Sequence, residues 1–244
     1  MLFRSQCFSH LPPISPSLDI SCGDGLFMFL HLEGMLDIKT DYFTETRANE
    51  FTHDNQIDIF DTDNASYSPS IIKPSKYNIT HGTDWKSNLL NKSSKLNLYK
   101  NLHLHDNNSV PFPFESNHFE WIYSNSIYWT SNISSVFDDI KRMLTETGIA
   151  ILVIATPYFV KTLEELDKFL EPRAMQILDR DRSKSYKGMK KFDEWNKLIA
   201  DSGLIIDSVS SVYPNRYIMD IWNIGLRPFN HLLVKMSDAI DEQT

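Results

Sequence analysis

The sequence predicts an α/β protein with a doubly wound, mostly parallel sheet and helices on both faces of the sheet. Apolar segments of strand length alternate with amphipathic segments of helix length, and a turn with glycines follows the first apolar segment. Strands that alternate with helices pair in parallel through right-handed crossovers. The apolar run at 149–155 is typical of a strand buried on both faces, so we expect it at the centre of the sheet.

The elements are predicted in a regular order along the chain. Strands are expected at 17–21, 77–82, 102–105, 119–124, 149–155 and 204–212, and helices at 26–32, 87–98, 133–144, 162–170 and 192–202. Apolar side chains recur at helical spacing between Ile133 and Leu144. We expect Gly148 and Gly203 to end the helices that precede them, and Pro172 to end the helix at 162–170.

Two parts of the chain depart from this alternation. Residues 33–76 follow neither a helical nor a strand period, and we interpret them as an insertion between the first helix and the second strand. Residues 213–244 are predicted to be a helical or remodelled C-terminal segment, because Gly225 and Pro228 interrupt its pattern. With 244 residues, of which 41% are apolar, we expect one domain over 1–244.

Charge and cysteine content narrow the possible partners. The formal net charge of −8 argues against a nucleic-acid partner, because phosphate binding needs a basic surface. The two cysteines provide no disulfide framework, and residues 1–16 lack the apolar core of a secretory signal. The run at 149–155 is too short to span a bilayer. We therefore expect a cytoplasmic protein without a membrane partner, and its oligomeric state stays open.

The stretch from Ser17 to Gly25 is the most informative of the chain. It combines an apolar strand that contains Asp19 with the turn Ser21-Cys22-Gly23-Asp24-Gly25. Glycine lets a turn adopt positive φ and approach a ligand closely, and such turns lie where nucleotide-like ligands bind to open α/β sheets. A nicotinamide dehydrogenase is the closest alternative, but its G-x-G-x-x-G fingerprint needs glycine where this chain has Met28. Asp19 would also place negative charge near the phosphates of that cofactor.

This stretch resembles motif I of the class I S-adenosylmethionine-dependent methyltransferases, and later segments resemble further motifs in the family's order. These segments are His81-Gly82-Thr83-Asp84-Trp85, Leu102-His103-Leu104-His105-Asp106-Asn107, Pro111-Phe112-Pro113-Phe114 with Phe119 to Ser126, and Thr145-Glu146-Thr147-Gly148. The resemblance covers Leu18 to Ala155 apart from the insertion. It implies a Rossmann-like fold, S-adenosyl-L-methionine as cofactor, and methyl transfer to a small-molecule or sugar-like acceptor.

The resemblance also implies a role for each cofactor-binding position. Asp19, Ser21, Gly23 and Gly25, with Cys22 between them, would hold the methionine part and the backbone of the cofactor. Asp84 would accept hydrogen bonds from both ribose hydroxyls, since a carboxylate offers two oxygens, and Trp85 would lie against the adenine. Asp106, followed by Asn107, would face the adenine amino group, and Asn125 would lie beside the sulfonium. The family usually has glycine in place of Ser21, and serine adopts positive φ less readily.

Several alternatives stay open. The chain could be a non-catalytic binding module or a partner subunit, which Ser21 and the lack of a clear seventh strand after Val212 favour. Asp58 competes with Asp84 for the ribose. His103 and His105 lack further metal ligands, so no metal is predicted, and Cys22 is explained more simply by the turn than as a nucleophile. Three aromatic residues could line an acceptor pocket or belong to ordinary packing: Tyr128, Trp129 and Tyr158.

Overall fold

The computed structural model describes residues 2–37, 40, 67–179, 188–226, 228–229, 232–233 and 236. The strands are β1 (Ser17–Ile20), β2 (Met35–Leu36), β3 (Ile71–Lys73), β4 (Ile79–Asp84), β5 (Tyr99–Leu104), β6 (Phe119–Ser124) and β7 (Leu144–Leu152). The α-helices are α1 (Leu2–Phe8), α2 (Leu26–His31), α3 (Ser87–Ser94), α4 (Ile133–Met143), α5 (Lys161–Leu166), α6 (Pro172–Leu178), α7 (Phe192–Asp201) and α8 (Arg216–Asp220). Short 3₁₀ helices cover Ile127–Trp129 and Pro157–Phe159, and a π-helical turn covers Ile221–Leu226.

The central sheet has five parallel strands in the order β5-β4-β1-β6-β7, which confirms the predicted parallel architecture. In β1, Asp19 pairs with Gly82 of β4 on one side and with Tyr123 of β6 on the other. The chain first builds outward from β1 through β4 to β5, and then returns to add β6 and β7 on the opposite side. This reversal creates a topological switch point at the carboxyl end of β1, which is where ligands of open α/β sheets bind.

Apolar side chains cover both faces of the sheet, as predicted. On one face, Ile20 and Ile122 pack with Phe137 of α4 and Trp195 of α7. On the other face, side chains of α1 and α2 pack against the aromatic residues of β6; they include Phe8, Phe29, Trp121 and Tyr123. The two cores fix β1 from both sides, so the turn that follows β1 starts from a rigid strand.

The segment predicted to be an insertion, residues 33–76, runs between α2 and β4. Its two flanks form the short antiparallel pair of β2 and β3, which brings residues 36 and 71 together at its base. Residues 38–39 and 41–66, including the rival ribose-binding candidate Asp58, lie outside the described residues. The described flanks of this segment therefore pair with each other.

The prediction for the fifth strand of the sheet is partly wrong. Residues of β7 and its extension do pack alternately against the two cores, with Ala150 and Leu152 on one face and Ile151 and Val153 on the other. However, β7 is the last strand on its side of the described sheet rather than a central one. An apolar run indicates that helices cover both faces of a strand. It does not indicate whether the strand lies at the centre or at the edge of the sheet.

The predictions that Gly148 and Pro172 each end a helix are also wrong. The helix α4 ends at Met143, and β7 begins directly at Leu144, so Gly148 lies within a strand and does not end a helix. Gly148 sits at a shift in the pairing of β6 with β7, where a Cβ would lie 2.6 Å from the carbonyl oxygen of Phe119. Pro172 begins α6 rather than ending a helix. Proline is tolerated there because a backbone N–H in the first turn of a helix has no carbonyl partner within the helix.

The strand predicted at 204–212 does not form. These residues make no ladder in the structure, and Ile205 is 93% exposed. Alternating apolar residues favour a strand only where a partner strand supplies the hydrogen bonds. Gly203 ends α7 with a positive φ of 77°, as predicted. In the predicted C-terminal segment, 216–226 is helical, and residues 237–244 lie outside the described part of the chain. No helix among the described residues is long and apolar enough to cross a bilayer.

Candidate functional site

Three residues of the turn after β1 have positive φ. Ser21, Gly23 and Gly25 have φ values of 59°, 60° and 76°, so serine does adopt the conformation for which the family that the sequence resembles usually has glycine. A Cβ at Gly25 would lie 2.7 Å from Ser93 Oγ and 3.1 Å from Tyr99 Cε2, so glycine is required where the turn packs closely. At Gly23, a Cβ would meet no described atom within 4 Å. Gly23 therefore presents open backbone at the crevice.

Asp84 ends β4 beside this turn. Its Oδ2 accepts a hydrogen bond from the backbone N–H of Gly23 at 3.0 Å, and its Oδ1 accepts one from Lys86 N at 2.9 Å. The backbone N–H of Cys22 also donates to the carbonyl of Thr83 at 2.8 Å. The end of β4 thus holds the turn in place through the Asp84 side chain and the Thr83 carbonyl.

Asp19 lies at the base of the same turn and is 2% exposed. The hydroxyl of Tyr99 donates to Asp19 Oδ2 at 2.6 Å. Burial raises the pKa of Asp19 to about 7; the hydrogen bond from Tyr99 opposes this rise, and the charge of Asp84 adds to it. Burial raises the pKa because the charged form loses its hydration. The two aspartates predicted to act together are therefore close enough to influence each other's ionisation.

Asn107 connects the loop after β5 to the turn. Its Nδ2 donates to the hydroxyl of Ser21, so the residue that departs from the family pattern makes a contact that glycine could not make. Asn107 Oδ1, Asn125 Oδ1 and Ser126 Oγ are buried without a hydrogen-bond partner among the described residues. Buried polar atoms are normally paired. Unpaired acceptors at the carboxyl ends of β5 and β6 are thus a feature expected of a ligand site.

Three more of the predicted residues differ from one another in exposure and contacts. Trp85 is 48% exposed and lies beside the ammonium of Lys86, with Nζ 5.1 Å from the ring centre. Asp106 is exposed, and its Oδ1 accepts from the backbone and side-chain nitrogens of Asn108 at 2.9 and 3.0 Å. Burial raises the pKa of the Cys22 thiol well above its ordinary value. Cys22 is therefore a thiol at neutral pH, which disfavours the nucleophile interpretation.

The histidines considered for metal binding have other contacts. A ring nitrogen of His103 lies 2.8 Å from one of His81, as a hydrogen bond between side chains. The rings of His105 and Phe112 are tilted by 44°, with their centres 4.5 Å apart. The part of the chain that the structure describes contains no group of three or more His, Cys, Asp and Glu residues that could hold a metal ion. Trp129 and Tyr158 are both partly exposed near the ends of β6 and β7.

Tyr99 is a site residue that the sequence did not indicate, and its ring crosses β4 to reach Asp19. A Cβ at Gly82 would lie 2.9 Å from Tyr99 Cδ1, so the glycine in β4 provides the path for the ring. Glycine within a strand often marks such a close approach. Gly82 was therefore the one indication in the sequence that a side chain approaches β4 closely. That this side chain is Tyr99 could be identified only from the neighbouring strand and its register.

Solved structures share this fold at low sequence identity. A SAM-dependent methyltransferase from Thermotoga maritima, described as a possible histamine N-methyltransferase, matches over 83% of this chain and 69% of its own, with 14% identity and a TM-score of 0.50. An S-adenosylmethionine-dependent methyltransferase from Mesorhizobium loti matches over 88% and 85%, with 14% identity and a TM-score of 0.49. Neither a family model nor a curated protein sequence matches the chain. Together with the strand order and the turn after β1, the first match shows that the chain has the fold of the class I S-adenosylmethionine-dependent methyltransferases.

Proposed function

We propose that this chain binds S-adenosyl-L-methionine and transfers its methyl group to a small-molecule acceptor. The observation that carries the proposal is the meeting of Asp19, Asp84 and the turn from Ser21 to Gly25 at the switch point of the sheet. Two buried carboxylates beside open glycine backbone suit a ligand that combines an ammonium group with a hydroxylated sugar. They suit a diphosphate poorly, because both carboxylates would repel it.

The free polar atoms of the site also fit this cofactor. Gly23 has open space where a side chain would stand, which permits close approach by a ligand. Asn107 Oδ1 and Asn125 Oδ1 are buried acceptors with no partner among the described residues, and the cofactor carries an adenine amino group and an ammonium group that could donate to such atoms. The residues present therefore fit the group that the fold implies.

The chain's own residues have distinct tasks under this proposal. Asp84 accepts from the ribose hydroxyls while it holds the Gly23 backbone, and Asp19 faces the ammonium of the methionine part. When bound, the sulfonium supplies a methyl group that is already activated. The protein then has to align the acceptor and exclude water. We assign no general base, because such a transfer does not always need one.

The acceptor is proposed from charge and from the end of β6. A net charge of −8 disfavours nucleic acid as the methyl acceptor. The residues Ser124-Asn125-Ser126-Ile127-Tyr128 differ from the N/D-P-P-Y signature of enzymes that methylate nucleic-acid amino groups. A small-molecule or carbohydrate acceptor near Tyr128 and Trp129 is therefore favoured. We propose that the enzyme is cytoplasmic.

Calorimetric titration with S-adenosylmethionine and S-adenosylhomocysteine tests the cofactor part of the proposal. We expect both ligands to bind, and Asp84→Asn to weaken binding about tenfold or more, because a neutral amide accepts weaker hydrogen bonds from the ribose. Asp138→Asn, a change at an exposed position of α4, is the matched control and should bind like the wild type. The absence of heat with both ligands at millimolar concentration would contradict the proposal.

A binding module without transfer activity is the second candidate. It is favoured by the absence of a strand beyond β7 within the described residues, since this side of the sheet is shorter than the sequence predicts. Incubation with radiolabelled S-adenosylmethionine and fractionated small metabolites separates the two candidates. If label enters a metabolite fraction with the wild type but not with an Asp84 variant, the result supports the enzyme. Binding without any transferred label supports the module.

A further inference from the structure

We infer that Tyr99 is a positioning residue that keeps the Asp19 carboxylate charged and oriented toward the ammonium group of an amino-acid ligand. This inference deepens the proposed function and rests on it, because the methionine part of the cofactor carries such a group. Tyr99 lies on β5, and β4 separates it from Asp19 on β1. Nevertheless, its hydroxyl donates to Asp19 Oδ2 at 2.6 Å.

Two glycines make room for the ring of Tyr99. A Cβ at Gly82 would lie 2.9 Å from Cδ1 and 3.1 Å from Cε1 of the ring, and one at Gly25 would lie 3.1 Å from Cε2. A contact of 2.9 Å would force the ring to move, and contacts of 3.1 Å would require it to shift by a few tenths of an ångström. The path from β5 to Asp19 therefore depends on small residues at two separate places, one in β4 and one in the turn.

The Tyr99 hydroxyl stabilises the negative charge of Asp19, whereas burial and Asp84 destabilise it. The titratable groups that interact with Asp19 come from each adjacent element: Tyr99 on β5, Asp84 at the end of β4, Cys22 in the turn and Tyr123 on β6. Burial and Asp84 raise the pKa of Asp19, whereas the hydrogen bond from Tyr99 lowers it. Burial and the nearby Asp19 charge raise the pKa of Tyr99 well above its ordinary value, so Tyr99 stays protonated and keeps donating.

The consequence is a ligand affinity that depends on pH through Tyr99. The pKa of Asp19 is about 7, so the carboxylate is mostly protonated at pH 6 and mostly ionised at pH 9. If the hydrogen bond is lost and the pKa rises by about one unit, the ionised fraction at pH 6 falls about tenfold, and at pH 9 it hardly changes. An ammonium ligand binds the ionised form, so the loss should appear at low pH alone.

Calorimetry on the full chain tests this with two ligands and two variants. S-adenosylhomocysteine carries the ammonium group, and methylthioadenosine keeps the nucleoside but lacks the amino-acid part. In Tyr99→Phe, which keeps the ring, we expect binding of S-adenosylhomocysteine to weaken about tenfold at pH 6 and less than about twofold at pH 9. Methylthioadenosine should bind equally at both pH values. Tyr217→Phe makes the same change at an exposed position of α8, and it should leave both profiles unchanged.

A titration of the ligand-free protein separates this inference from the proposed function. The carboxyl carbon of Asp19, followed by NMR, should titrate at higher pH in Tyr99→Phe than in the wild type. Gly82→Ala keeps the hydroxyl but displaces the ring, so it should raise the midpoint as well. An unchanged midpoint, or a loss of affinity that is equal at every pH and for both ligands, would overturn the role of Tyr99. If neither ligand binds the wild type, the proposed function fails, and the role in ligand binding fails with it.

Discussion

Asp84 Oδ2 accepts a hydrogen bond from the backbone N–H of Gly23 at 3.0 Å, so the end of β4 holds the turn that follows β1. Asp84 is 5% exposed, and its other oxygen is bonded to the backbone of Lys86. The carboxylate that the sequence assigns to a ligand is therefore also a structural element of the crevice. Its loss should alter both the shape of the turn and the affinity of the site.

Asp84→Ala should loosen the turn even without ligand. The change leaves the N–H of Gly23 without its acceptor, and an unmade hydrogen bond to a buried charged group costs about 1–3 kcal/mol. We expect the free energy of unfolding to fall by that order and the Gly23 amide to exchange its hydrogen faster. Hydrogen exchange followed by NMR measures the amide directly, with Asp138→Ala as the control. Unchanged protection of Gly23 would show that the bond does not hold the turn.

Alanine substitutions at three glycines with positive φ can be compared for stability and ligand binding. Gly23, Gly25 and Gly203 have φ values of 60°, 76° and 77°, so alanine at each is strained by about 1 kcal/mol. A Cβ at Gly25 would meet Ser93 and Tyr99, whereas at Gly23 and Gly203 it would meet no described atom. Urea denaturation should therefore show the largest loss for Gly25→Ala. Gly23→Ala should resemble Gly203→Ala in stability but should bind S-adenosylhomocysteine more weakly; equal affinity in these two variants would place Gly23 outside the site.

Arg142 should be important for stability rather than for ligand binding. It bonds to the buried carboxylate of Asp139 at 2.5 Å and to the carbonyls of Phe112 and Phe114, and Asp139 also accepts from the backbone of Phe112. Arg142→Ala leaves a buried charge without its partner, which we expect to lower the free energy of unfolding by about 2 kcal/mol after allowance for partial exposure of the arginine. Thermal and urea unfolding measure this. Lys141→Ala, at the exposed neighbouring position, should have little effect.

Stability should vary with pH through Asp19. Its pKa is about 7 in the folded protein, whereas aspartate in an unfolded chain titrates near about 3.9. Between these values the folded state binds the proton more readily, so this group's contribution to the free energy of unfolding is fully present at acid pH and is lost as the pH rises toward 7. Asp19→Asn removes the titration. Relative to the wild type it should become progressively more stable from about pH 4 to about pH 7, and urea curves that keep a constant difference over this range would contradict the assignment.

Local patterns were sufficient for the elements that position the site. The strand at 119–124 has the predicted bounds, because its apolar residues and flanking turns define it without reference to the rest of the fold. The turn after β1 was predicted from its glycines, and Ser21 takes the positive φ for which the family it resembles usually has glycine. In each case a short stretch of chain contains the physical cause.

Where the sequence-based predictions failed, the cause lies in distant residues. The apolar residues of 149–155 indicated helices on both faces, but the place of β7 in the sheet depends on which strands pair beside it. The alternation in 204–212 was real, yet a strand needs a partner to supply its hydrogen bonds. Gly148 was assigned to a helix end because glycine is common there, whereas it avoids a clash with the backbone of β6.

The sequence by itself determined the α/β class, the glycine turn and the acidic residues that flank it, because strand period, helix period and turn chemistry are local properties. The tertiary structure alone decided that Tyr99 reaches Asp19 across Gly82, that Asp84 holds the Gly23 backbone, and that Asn107 contacts Ser21. These contacts join residues far apart in the chain. They depend on the register of parallel strands and on the space left between side chains, which no single segment encodes.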